Sequence, residues 1–452
     1  MNQQETIATF VKQKMEAYGI PGVSLGILVN GEEILLQFGV ASLRTRQPVV
    51  PETIFQVGSN TKTMTATLLM ALHEQGELDL DQPIQSVLPE FSVKNEAVSR
   101  SATVRQLLTH STGWVGDHFI DSGRGADAGE KYAVTMAKLP QIAPPDTAFS
   151  YNNSAFALSG VIIERITGRS YAAALRDLLF DPLGMPHSFL EAEDVMLQHF
   201  AVGHAPWLEG ESKVAGPWPL PRAMYAAGSV AADAKDMLTY ARFYLDGGVT
   251  SSGEQIISKE GIERLWTTQF EIKPGWSMAH SWFVTDEGGV MSYSHGGATV
   301  GQISAFKIVP DRGFAFVSLT NSFNGRLFNA DLEPFLLSIF CEVEPSAAAK
   351  RPATAAEVTE LVGRYERPMA DLIIKIDEES GELIMQAIQK QGFPTENDPP
   401  RPPTPWMALQ VLESGHLHVD NGSDGGAEAQ VLRYPDGSIR WIRFGLRLHA
   451  KR

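Results

Sequence analysis

Cysteine is nearly absent from this chain. A single one, Cys341, occurs in 452 residues, which excludes an intrachain disulfide and any metal site built from several thiolates. Basic charge is also short. The 37 lysines and arginines face 53 acidic residues, for a net charge of −16. That balance argues against nucleic acid, which wants a basic face, and against anionic membrane surfaces. No apolar run reaches the roughly 18–20 residues of a membrane span. Residues 1–5 are polar and acidic, and 9–15 are amphipathic. The basic start, apolar middle and small-residue cleavage site of a secretory signal are missing. No His/Glu cluster has the spacing of metal ligands. These absences predict a cytoplasmic protein, or a mature form whose signal has been removed, working without metal or cofactor.

What is present is an ordinary globular composition, 43% hydrophobic and 20% charged, with enough chain for two or three units. A helix is expected at 6–18, then strands at 21–29 and 33–41 joined by the two-residue turn Asn30-Gly31. Helical periodicity dominates the middle, at 103–109, 154–167, 171–180 and 234–245. Strand patterns return at 280–284, 302–309 and 314–319, before a closing helix at 328–340. Strands at both ends of the first 345 residues predict one sheet built from both, with a helical subdomain inserted. Residues 346–357 read as a linker of low hydrophobicity. From 358 to 452 the pattern is short alternating strands with turns such as Ser380-Gly381, Asn421-Gly422 and Asp436-Gly437. This predicts a separate small antiparallel barrel with an irregular loop at 394–405.

Three short stretches carry chemistry. In Gly58-Ser59-Asn60-Thr61-Lys62, a hydroxyl and an amine at i and i+3 share a helix face near the positive end of the helix dipole. A serine needs a neighbouring base to act as a nucleophile, and a desolvated lysine can serve. Read alone, the pair is equally an exposed helix start with a solvated lysine. In Tyr151-Asn152-Asn153, a tyrosine and an asparagine at i and i+2 can project together, and a phenol beside a lysine can be lowered in pKa and relay protons. The plain alternative is a buried tyrosine at a helix start with Asn153 as its cap. In Ser294-His295-Gly296-Gly297-Ala298, two glycines beside a strand imply close approach of backbone or ligand. The Ala298 amide could then serve as an oxyanion donor. Its alternative is a glycine-rich hairpin with an incidental histidine.

Together the three resemble the active-site set of the serine β-lactamase and penicillin-binding protein superfamily. Ser59–Lys62 matches its Ser-x-x-Lys, Tyr151–Asn153 its Tyr-x-Asn, and His295–Gly297 its Lys-Thr-Gly or His-x-Gly. Stretches at 103–113, 182–185 and 226–230 resemble the same family, and the likeness covers about residues 5 to 341. It implies an α/β (α+β) β-lactamase/transpeptidase-like fold, an antiparallel sheet flanked by helices plus an all-helical subdomain, with the site between them. The segment Leu361-Val362-Gly363-Arg364-Tyr365 resembles the opening strand of the lipocalin-like barrels that D-aminopeptidases of the superfamily carry. Such a barrel can reach over the cleft or make the subunit contacts of a homo-oligomer.

The resemblance implies an acyl-enzyme route. Ser59 attacks a carbonyl and Lys62, shared with Tyr151, takes the proton. Asn153 orients Lys62 and the substrate amide, and the amides of Ser59 and Ala298 hold the oxyanion, beside Gly296 and Gly297. Tyr151 protonates the leaving group, and His295 holds a substrate carbonyl or carboxylate or passes protons. Most β-lactamases carry lysine where this chain has His295, and a largely neutral histidine offers a β-lactam carboxylate no fixed charge. The implied substrates are therefore small amides or short peptides, including D-residue peptides. Esters on the same site are the alternative, and weak β-lactam hydrolysis or a catalytically inactive binding protein are further ones. The segments 114–132 and 204–222, the second with Trp207 and Trp218, are expected at the cleft edge. His110 and His204 are assigned structural roles.

Overall fold

The computed structural model describes residues 3–205, 212–344, 349–420 and 426–452. Trp207, the Asn421-Gly422 turn and residues 346–348 of the predicted linker lie outside the described residues.

The Asn30-Gly31 turn joins Gly22–Val29 to Glu32–Gly39, with Asn30 and Gly31 both at positive φ as a type I′ turn requires. Gly22–Val29 then pairs with Phe314–Thr320, so the two chain ends meet as expected. The sheet continues through Ile303–Val309, Met291–Ala298, Phe283–Asp286, Trp276–Met278 and Phe270–Lys273, all antiparallel, for eight strands. The expected strand at 280–284 starts late, at Phe283, because Ser281 adopts positive φ and turns the chain.

Alternation along the strands sorts the core. On one face Val23, Leu25 and Ile27 pack with Phe328, Leu332 and Leu336 of the Gly325–Cys341 helix and with Ile7 and Val11 of the Gln3–Tyr18 helix. The other face meets the helical region, including Thr61–Glu74, Asn153–Thr167 and Ala234–Leu245. Twelve residues of Thr61–Glu74, from Thr61 to Leu72, are buried. A helix apolar all round belongs inside a large core, and its four threonines bond backbone or tyrosine hydroxyls rather than water.

In the C-terminal region eight strands close on themselves, since Met407–Leu412 pairs with both Leu383–Gln389 and Leu417–Val419. The interior is a packed core of residues such as Tyr365, Leu372, Met385, Leu417 and Ile442. Eight strands leave room for side chains to fill the barrel. The stretch read as linker is more ordered than expected. Lys350–Arg351 pairs with a barrel strand, and Thr354 opens the Ala355–Leu361 helix with a capping box to Glu357. Low hydrophobicity had hidden a helix whose start is set by polar capping.

The barrel docks on the body built around the larger sheet. Trp441 and Leu448 pack with Ala143 and Ala148. Arg443 donates to the carbonyls of Phe149 and Ile272, and the Leu446 carbonyl accepts from the Tyr151 amide at 2.9 Å.

Candidate active site

Ser59 sits in a 3₁₀ turn, Gly58–Asn60, that runs into the buried helix. Gly58 has φ +55, and a Cβ there would lie 2.6 Å from the Ala298 amide nitrogen. Only glycine lets this turn press against the end of the Met291–Ala298 strand. Asn60 pins the turn by donating to Ser304 Oγ at 2.7 Å and to the Val57 carbonyl at 3.1 Å. The His295-Gly296-Gly297-Ala298 motif forms the end of that strand, paired residue by residue with Ile303–Phe306 in an antiparallel hairpin closed by residues 299–302.

Lys62 is fully buried. Its Nζ lies 3.1 Å from Ser59 Oγ and donates to Asn153 Oδ1 at 2.8 Å and to the Ala227 carbonyl. Among the described residues it forms no carboxylate ion pair. Burial, and then the nearby Arg447 charge, hold its pKa well below that of an ordinary lysine, with Asp117 opposing. A neutral amine has two N–H bonds and one lone pair. Two acceptors, Asn153 Oδ1 and Ala227 O, take the two N–H groups, and the lone pair is left for the Ser59 hydroxyl.

Asn152 is the cap of the following helix, its side chain accepting from the Ala155 amide at 2.8 Å. The plain alternative, with Asn153 as the cap, therefore does not hold. A cap fixes one side chain on the backbone, and the next residue is free to face Lys62.

Tyr151 stacks on His110 with ring centroids 4.3 Å apart, and its hydroxyl is 3.4 Å from His295 Nε2. Burial raises the phenol above its usual range, against weaker pulls from Ser59 and Arg447. The expected lowering does not occur: desolvation outweighs the neighbouring charge. The phenol therefore keeps its proton, whereas burial favours the neutral amine of Lys62. His295 Nδ1 is 2.6 Å from the Gly296 carbonyl, which places its proton there and leaves Nε2 as an acceptor. Burial, then the Lys62 charge, push His295 down to about 3.

Several contributors carried no sequence signal. Asp117 accepts from Asn153 Nδ2 at 2.8 Å, and two arginines of the barrel, Arg367 and Arg447, hold it. Arg447 also lies over the Tyr151 ring, 4.7 Å from its centroid. Arg326, at the start of the Gly325–Cys341 helix, is lowered to about 10 by burial and by the charges of Arg401 and Arg447. Arg401 comes from the 394–405 loop and lies over Phe323, while Phe393 beside that loop meets Phe119 edge-on at 5.0 Å. The 114–132 segment therefore borders the barrel loop. Trp218, in the other expected edge segment, donates to the Ala201 carbonyl and accepts from Gln56 through its own carbonyl. His110 stacks on the Tyr151 ring and accepts from the Asn152 amide at 2.9 Å. His204 bridges Leu43 and Asn321 backbone as expected.

Among the described residues, His187, Asp233 and Asp236 group their donor atoms at a spacing a metal could use. Those atoms are engaged: the Asp233 carboxylate caps the Ala234–Leu245 helix and meets His187, and Asp236 accepts from the amide of His187 and the hydroxyl of Ser188.

A Beta-lactamase family model matches residues 7–337. "Penicillin-binding protein 4" of Amycolatopsis lactamdurans is 35% identical over 358 residues, spanning 77% of this chain and 93% of that protein. The crystal structure of SurE superposes with a TM-score of 0.74 at 25% identity over 99% of this chain and 98% of SurE. SurE solved with D-Leu gives 0.67 at 23% identity, over 99% of each chain. The octameric penicillin-binding protein homologue from Pyrococcus abyssi shares the fold along both whole chains, with a TM-score of 0.68 at 23% identity. No helix among the described residues is long and apolar enough to cross a membrane. The chain belongs to the Beta-lactamase family, and is a serine hydrolase of the β-lactamase and penicillin-binding protein superfamily.

Proposed function

We propose that this enzyme cleaves small amides or short peptides through an acyl-enzyme on Ser59. The observation that carries the reading is Lys62: buried, unpaired with any described carboxylate, and 3.1 Å from Ser59 Oγ with both N–H groups otherwise engaged. The Ser59 proton passes to Lys62 as Oγ bonds to the substrate carbonyl carbon. The amides of Ser59 and Ala298, brought together by Gly58, receive the oxyanion. When the C–N bond breaks, the leaving nitrogen takes a proton through Tyr151. Water then attacks the ester, giving its proton to Lys62, which returns it to Ser59 Oγ as the acyl C–O bond breaks. His295, neutral, positions the Tyr151 hydroxyl.

Arg326 is within reach of the charges of Arg401 and Arg447, and Arg447 lies over the Tyr151 ring. The D-Leu in the SurE crystal structure supports a D-residue at or next to the cleaved bond. Self-association is proposed on the strength of the octameric P. abyssi homologue, and light scattering reads it directly.

The test is a panel of D- and L-amino-acid amides, short D-peptides, p-nitrophenyl esters and penicillin, with intact-protein mass spectrometry after a fluorophosphonate. An adduct on Ser59 and preferential turnover of D-amides or D-peptides are expected. Turnover of esters alone would replace the amidase with an esterase on the same site. Folded protein that gains no adduct would mark a binding protein.

A further inference from the structure

We propose that Asp117, clamped by Arg367 and Arg447 of the barrel, is a positioning residue that fixes the Asn153 amide so that its oxygen, and not its NH₂, faces Lys62. The inference rests on the reading of Lys62 as the base. It extends that reading by making the competence of the lysine depend on the docked barrel.

Asn153 is a symmetric-looking amide between two partners. Toward Lys62 it presents Oδ1 at 2.8 Å, and toward Asp117 it presents Nδ2 at 2.8 Å. A carboxylate can only accept, so it dictates which end of the amide it meets. With the amide reversed, its NH₂ would donate to Lys62 and occupy the lone pair that Ser59 needs. Asp117 thus sets the direction of the chain from Asp117 through Asn153 and Lys62 to Ser59.

Asp117 is itself held from the barrel. Arg447 grips it as a fork, Nε to Oδ2 at 3.0 Å and Nη2 to Oδ1 at 2.9 Å. Arg367 Nη1 reaches Oδ2 at 2.9 Å. With Asn153 this makes four donors on one carboxylate that is 5% exposed. Such a fork adds geometric specificity as well as energy. Asp117 and Arg447 are 330 residues apart in the chain, and the body alone supplies one of the four donors.

The groups facing Lys62 are Asp117 from the 114–132 segment, Arg447 from the barrel, His295 from the sheet, and Tyr151 and His110. Arg367 stands behind Asp117. Asp117 raises the lysine's affinity for a proton and Arg447 lowers it, so removing each moves the titration of the base in opposite directions.

The experiment compares wild type, Asp117→Asn and Arg447→Gln, using p-nitrophenyl acetate turnover from about pH 5 to about pH 9, with thermal melts of each. Asp117→Asn, which no longer demands a donor from Asn153, is expected to lose about 10²-fold in kcat/KM with KM little changed. Its acid limb should move to lower pH. Arg447→Gln keeps an amide donor for Asp117, so it provides the limb test even where Asp117→Asn melts early, and its limb should move to higher pH by about one unit. A packing role alone would lower the folded fraction and leave both limbs in place, and that result overturns the proposal. Ser59→Ala in parallel separates the two failures. Turnover that persists there overturns the Ser59–Lys62 reading. Unmoved limbs in an enzyme that needs Ser59 overturn the positioning inference alone.

Discussion

The Tyr151 hydroxyl faces the bare Nε2 of His295 at 3.4 Å, with the imidazole proton held on the far side by the Gly296 carbonyl. The histidine is therefore an acceptor, and at about 3 its protonation falls outside the working range. Replacing it by glutamine keeps polar atoms at this position. His295→Gln is expected to lower kcat/KM by about tenfold through misplacement of Tyr151, while the shape of the profile between about pH 5 and pH 8 stays as in wild type. A limb that disappears in this variant would show that His295 titrates during turnover.

Lys62 gives the opposite expectation. Its pKa is held well below that of a free lysine by burial, so the enzyme loses its base as pH falls through that lowered value. Arginine cannot be deprotonated in a protein. Lys62→Arg puts a fixed cation next to Ser59 in place of the neutral amine and removes the lone pair, and is expected to lose about 10³-fold in acylation. Stopped-flow release of p-nitrophenolate measures this, and a rate near wild type would exclude Lys62 as the base.

Much of this arrangement was legible from local patterns. Ser59–Lys62 is a helix spacing, Tyr151–Asn153 a loop spacing, and the strand runs near both ends of the body fixed the sheet. The barrel was readable from alternating short strands punctuated by turns. The pairing of Asp117 with Arg447 was not, because it closes a gap of 330 residues that no local pattern spans. The choice between Asn152 and Asn153 as cap also escaped, since it depends on where the helix begins by one residue. Tyr151 failed for a different reason. Sequence showed the neighbouring charge but not the burial, and burial decided the sign.

The two glycines of the third motif are expected to differ sharply. A Cβ on Gly297 would lie 1.9 Å from the Val57 carbonyl oxygen and 2.5 Å from Ser304 Oγ, whereas one on Gly296 meets nothing closer than 3.5 Å. Val57 O is held in place by Ser304 and Asn60. Gly297→Ala must push the strand away from the Ser59 turn, with a stability loss of about 2–4 kcal/mol and an oxyanion site out of register. Gly296→Ala should melt within about 1 kcal/mol of wild type. Calorimetry on the two variants checks the pair, and equal melting points would refute the close approach.

Acid should weaken the fold through its buried neutral histidines. His449 and His295 are lowered to about 3 and His280 to about 4, in each case first by burial. The unfolded value is near 6.5. Above that pH neither state is protonated, and this stability is fully present. As pH falls toward the folded value, the unfolded chain binds protons that the folded chain refuses, and stability drops. At about pH 5 each histidine has cost about 2 kcal/mol. Asp236, raised to about 7 by burial and by Asp233, works the other way, since the folded state then holds the extra proton. The informative quantity is therefore a difference between proteins in which Asp236 cancels. His449→Gln retains a polar group facing Arg367 and removes one titration. Its loss of stability between about pH 7.5 and pH 5 is expected to be smaller than that of wild type by about 2 kcal/mol. Denaturant unfolding at the two pH values measures it, and parallel losses in the two proteins would show that His449 is already protonated in the fold.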